Sequence, residues 1–191
     1  MFMKMTTSYT LPFVAALMIL SGILGMGIGY YMTPEYRLSM YEKNDMDLGR
    51  ADRTLDLRYV NAMIAHHRGA MLVAEQAKKS ERAEVKNLAQ AILKDEPAAI
   101  AELYAWKKAW YGDERSVRDP QVPKLGAYDK TFDLRFLNAV ITHHENGVVM
   151  TQDVRIKSSR SEVLDNANAV EAFLKGGIVM LSQWRSDWYG Q

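Results

Sequence analysis

All four histidines of the chain fall in two adjacent pairs, His66-His67 and His143-His144. Neutral imidazole is the commonest metal-binding side chain, and the one that exchanges protons near neutral pH. A single histidine on an apolar face is usually a core residue bonded to a neighbouring carbonyl, and a buried imidazole left unpaired costs about 1–3 kcal/mol. Two matched pairs, with no histidine elsewhere, fit that packing reading poorly and point to a metal or proton site. Cysteine is absent. Thiolate zinc sites, iron–sulfur clusters and disulfides are therefore excluded, and an ion would be held by imidazole, thioether, carboxylate or backbone oxygen.

Thioethers stand close to both pairs. Met63 and Met71 lie four residues either side of His67, and Met150 lies two helical turns beyond His143. Methionine most often fills cores, but imidazole with thioether is a donor set suited to copper, Cu(I) above all. Zinc, which the histidines alone could satisfy, fits the thioethers less well. The Glu-x-x-His pattern of di-iron bundles is missing, since apolar residues such as Met63 and Val140 precede the pairs. Glu96 interrupts the apolar row Leu88, Ile92, Ile100. It reads as a ligand or as a partner orienting a histidine.

The elements that carry these residues repeat. DLRYVNAMIAHHRGAMLVAEQA from Asp56 aligns without a gap with DLRFLNAVITHHENGVVMTQDV from Asp133, and WKKAWYG from Trp106 returns as WRSDWYG from Trp184. The offset grows by one residue between the start and the end of the repeat, which places an insertion in a hairpin turn. Each copy reads as a helical hairpin. The first helices are expected over Leu55 to Lys79 and Phe132 to Lys157, and the second run to Trp110 and Trp188, with Gly112 and Gly190 as stops. Ser159 with Glu162 resembles a capping box. Pro97 is expected to kink or restart its helix, with Asp95 as cap. A seam of three-four spacing runs Leu57, Val60, Ile64, His67, Met71, Ala74, and again Leu134, Leu137, Ile141, His144, Val148, Thr151. That spacing puts His67 and His144 at the centre of the packing stripe and His66 and His143 at its edge. Neither hairpin can bury its apolar face alone, so the expected fold is all-α, one four-helix bundle from two tandem hairpins. Its parts are repeat 1 over residues 54–112, a linker over 113–131 and repeat 2 over 132–191.

Ahead of the bundle, no charge occurs between Lys4 and Glu35. After a tail over residues 1–8, the apolar run over 9–32 is long enough for one transmembrane helix, a retained anchor rather than a cleaved signal. Residues 33–53 read as a polar tether. The expected topology is single-pass in the cytoplasmic membrane, with the C-terminal domain extracytoplasmic (periplasmic). Ser21, Gly25 and Gly29 form a small-residue face through which two anchors could pair as a homodimer. Lys+Arg 24 against Asp+Glu 23 gives net charge +1, which leaves no basic excess for nucleic acid.

NAMIAHHRGAM, followed by a second helix ending in IAELYAW, resembles the domain of unknown function 305 family. Met63, Ile64, His66 and His67 match its core, as do Ile141, His143, His144 and Met150 in the second copy. The resemblance implies a ferritin-like four-helix protein, often exported, with copper binding in the bacterial envelope among its members. The family usually has Gln and Glu where this chain has Glu96 and Ala99, then Leu174 and Gly177, and often Met where it has Val73. The expected function is copper binding, buffering or resistance without enzymatic turnover. The alternatives are a metal-free structural or partner-binding bundle and a metal-dependent redox enzyme.

Overall fold

A computed structural model describes residues 46–190. They form four helices: α1 (Leu55–Ala77), α2 (Ala83–Tyr111), α3 (Phe132–Lys157) and α4 (Ser161–Tyr189). The expected anchor, the tail before it, the Ser21–Gly25–Gly29 face and the first part of the tether lie outside the described residues. Among the described residues no helix is long and apolar enough to cross a membrane.

Both inner helices start the same way. Asp52 Oδ1 accepts hydrogen bonds from the Thr54 amide and hydroxyl, each at 2.8 Å. Asp129 does the same for Thr131, at 2.9 and 2.8 Å. These Asx turns order the first turn in place of a side-chain cap on the helix itself. Arg58 Nε then donates to the Leu48 carbonyl (2.6 Å) and Arg135 Nε to the Leu125 carbonyl (2.5 Å). The repeat thus begins earlier than Asp56, at Leu48-Gly49 and Leu125-Gly126. Both glycines are left-handed, φ 75° and 76°, a conformation that costs glycine little. The end of the expected tether is core: Met46 and Leu48 are buried.

The hairpin turns differ from expectation in detail. The N-cap of α4 is Arg160 without a side-chain cap bond, so the Ser159–Glu162 box does not form. Ser158 replaces it, because its hydroxyl accepts the Arg160 amide at 3.2 Å while Ser159 is exposed. Ser80 and Arg82 repeat this contact at 3.2 Å. Helix α2 runs unbroken through Pro97, so the expected restart at Asp95 is absent. Pro97 is exposed, where solvent can take up the carbonyl that its missing N–H leaves free. Gly112 and Gly190 end the outer helices with φ 61° and 67°, as read from the sequence.

Each hairpin packs on itself, and the two join through α1 against α3. The joint is clasped at both ends by reciprocal contacts. Ser158 Oγ and Arg160 Nε donate to Asp56 at 2.6 and 3.2 Å, and Ser80 Oγ and Arg82 Nε donate to Asp133 at 2.7 and 3.3 Å. Arg160 lies over the Trp110 ring at 4.2 Å and Arg82 over Trp188 at 4.0 Å. The apolar core is divided accordingly. One cluster joins Tyr59, Met63, Leu103, Met150 and Val163, and another joins Val73, Val85, Phe136, Val140 and Leu181. Side chains such as Leu103 and Leu181, 1% and 0% exposed, contribute about 1.5–3 kcal/mol each. Between these two clusters, at the waist of the bundle, lie the histidines.

Candidate metal centre

The waist is where the outer helices are least buried. In α2 no residue between Ala89 and Leu103 is buried, and in α4 none between Leu174 and Leu181. The result is a groove of about 760 Å³, walled by α2 and α4, with His66, His67, His143 and His144 along its floor.

The two members of each pair face different neighbours, because successive residues on a helix point about 100° apart. His66 and His143 face one another across the α1–α3 joint, stacked with ring centroids 3.8 Å apart and 9° between planes. His67 turns to its own outer helix, where Nδ1 pairs with Glu96. His144 turns to α4, 6.3 Å from the Phe173 ring. This reverses the expected order of burial: His66 and His143 are 3% and 2% exposed, while His67 and His144 are only partly buried. The seam spacing was right for Val60, Ile64 and Ala74. A second buried row, Tyr59, Met63, His66, Val73 and Ala77, serves the joint to α3. An inner helix has two packed faces, and a single stripe describes only one of them.

Two glycines shape the floor. A Cβ at Gly147 would lie 2.6 Å from His66 Cε1 and 2.5 Å from Leu174 Cδ1. A Cβ at Gly177 would lie 2.5 Å from both Cε1 and Nδ1 of His144. The first copy carries Ala70 and Ala99 at the matching positions.

Burial keeps three of the imidazoles neutral. Desolvation pushes His66 well below the usual imidazole range, helped by the charges that His143, His67 and His144 would carry. His143 is lowered to about 3, by burial first and then by His144 and His67. His144 is lowered to about 4 by burial, partly offset by the nearby Leu174 backbone. Neutral imidazole is the form that binds metal. His66 Nδ1 and His144 Nδ1 are buried without a hydrogen-bond partner, an arrangement that costs stability unless something is bound there. The donors therefore suit an ion, although among the described residues no three His, Asp or Glu side chains already converge on one point.

Of the other residues read from the sequence, Glu96 reaches His67 as expected. Met63 and Met150 are fully buried in the apolar cluster, and neither they nor Met71 line the groove. The thioether that does line it is Met180, which the sequence reading passed over. Aligning the outer helices through Trp106 and Trp184 would have set Met180 against Glu102.

Residues 56–127 match the family model described as Domain of unknown function (DUF305), in agreement with the resemblance seen in the sequence. Among solved structures the chain is similar to CopM. With CopM in the Cu(I)-bound form it shares 28% identity over 69% of this chain and 95% of that one, at a TM-score of 0.61. The Ag-bound form gives 27% identity over 69% and 95%, at 0.61, and the Cu(II)-bound form 27% over 70% and 97%, at 0.59. No curated protein matches.

Proposed function

We propose that the chain, a DUF305 protein over residues 56–127, is a copper-binding protein that carries the ion as cargo in the groove between α2 and α4. The observation that carries this reading is the convergence of all four histidines on one groove floor, with buried imidazole nitrogens that lack a partner. The likeness to a protein solved with Cu(I), Cu(II) and Ag bound supports it. His66, His67, His143 and His144 supply the nitrogen donors. Glu96 holds His67, and the thioether that lines the groove is that of Met180 rather than Met63, Met71 or Met150. The test is competition against a chromophoric Cu(I) chelator. Wild type should retain the ion, and a His67→Leu/His144→Leu protein should lose it while staying helical. Unchanged affinity in that variant would refute the reading.

Binding rather than turnover is the activity we assign, since the sequence holds no nucleophile–base motif or glycine-rich phosphate loop. Sustained consumption of peroxide or oxygen by the copper-loaded protein would overturn this. We further place the bundle on the outer side of the cytoplasmic membrane, tethered by the uncharged run over residues 5–34. Protease added to intact spheroplasts should then digest the C-terminal domain. Protection of that domain would refute the orientation, and a mature form starting near Ile28 would refute the anchor.

A further inference from the structure

The outer helices are copies of one another, yet the residues they turn towards the groove differ in kind. The step that carries Trp106 onto Trp184 carries Asp95 onto Phe173, Glu96 onto Leu174, Ala99 onto Gly177 and Glu102 onto Met180. Three carboxylates of the first copy thus stand opposite an aromatic ring, an aliphatic chain and a thioether in the second. Asp95 and Glu96 line the groove from α2, and Phe173, Leu174 and Met180 line it from α4. Each wall has its own histidine. His67 pairs through Nδ1 with Glu96, which leaves Nε2 for an ion. His144 lies against Gly177 with a buried, unpartnered Nδ1. Met180 stands one turn beyond Gly177 on the same helix face and is exposed.

We propose that the groove offers two inequivalent ion positions: a harder one at His67 and Glu96 that takes Cu(II), and a softer one at His144 and Met180 that takes Cu(I) or Ag(I). The assignment rests on the metal-binding reading above. Carboxylate with imidazole suits the divalent ion, and thioether selects the soft monovalent one. A carboxylate on Nδ1 also fixes the tautomer of His67 and raises the basicity of its other nitrogen. The α4 wall supplies only uncharged donors in apolar surroundings.

Titration of the full-length protein with Cu(II) and, separately, with Ag(I) as a redox-inert monovalent ion tests this, using Glu96→Leu and Met180→Leu in competition with chromophoric chelators. Glu96→Leu gives the first copy the second copy's residue, and should weaken Cu(II) about tenfold or more while moving Ag(I) less than about twofold. Met180→Leu, nearly equal in volume at an exposed position, should do the reverse. Circular dichroism checks that both variants keep their helices. If either variant weakens both ions alike, one shared position exists and the proposal is wrong. If neither changes anything, the ions bind elsewhere and it is wrong again. A wild type that binds neither ion would instead overturn the metal-binding reading itself, and the proposal with it.

Discussion

The ends of this bundle repeat themselves; at its waist the floor of paired histidines repeats and the walls do not. At the ends, Asp56 with Ser158, Arg160 and Trp110 is the same device as Asp133 with Ser80, Arg82 and Trp188, matching within 0.2 Å in each distance. At the waist, the positions of Glu96, Ala70 and Ala99 are filled by Leu174, Gly147 and Gly177 in the other copy. A duplicated hairpin that must close on its twin needs the same clasp twice, since each clasp joins residues from both copies. A groove wall faces open space, so nothing in the packing obliges its two sides to agree.

Acid should separate the two regions most strongly. His143 and His144 have folded-state values of about 3 and about 4, and His66 is likewise depressed, whereas the unfolded chain titrates near 6.5. Below that pH the unfolded state binds more protons. Stability is therefore lost as pH falls from about 6.5 towards 4, by up to about 1.4 kcal/mol per pH unit for each histidine. Above about 6.5 these groups have no effect. Urea unfolding across that window should show the slope, and His143→Leu should flatten it. An equal slope in the variant would assign acid sensitivity to groups outside the waist.

The clasps come next. Asp133→Ala leaves the buried Ser80 hydroxyl without its acceptor, and Asp56→Ala does so for the partly buried Ser158. Each should cost about 2–3 kcal/mol in urea unfolding, and the two should agree within about 1 kcal/mol. A larger difference would break the equivalence of the ends. Gly177→Ala should then separate the copies at the waist. The added carbon strikes the His144 ring and should weaken Ag(I) binding about tenfold, or about 1.4 kcal/mol, while Ala99→Gly leaves binding alone. The smallest effect is expected at Glu171, which Arg155 and Lys175 bridge from positions 43% and 57% exposed. The first copy has Leu93 there. Glu171→Leu should change stability by less than about 1 kcal/mol by chemical denaturation.

The helices were legible because apolar spacing, turn serines and terminal glycines all point the same way. Phe132–Lys157 was read to the residue, and α1 ends two residues before the expected Lys79. The insertion falls in the hairpin turn, as the growing offset required: Ser80 follows Ala77 by three positions, and Ser158 follows the matching Val154 by four. The site was legible in membership and less so in arrangement. That the histidines would meet followed from pseudo-symmetry, and that Glu96 was out of place in an apolar row was visible. Which histidine faces which helix depends on how an inner helix divides its surface between two partners, and spacing along one chain carries no record of that. Met63 and Met150 were read as ligand candidates from nearness in sequence. Their side chains are instead spent on the core, and Met180, distant in sequence, lines the groove.

The placement of the tryptophans bears on how the protein can be watched. All four stand near the C-terminal ends of the outer helices as stacked pairs, Trp106 with Trp110 at 5.0 Å and Trp184 with Trp188 at 5.3 Å, and none lines the groove. Indole emission and the near-ultraviolet signal of the stacked rings thus report the closing of the clasps, one pair for each end. Replacing one pair by phenylalanine would give a protein whose two ends can be followed separately by light, with no dye added and the groove left untouched.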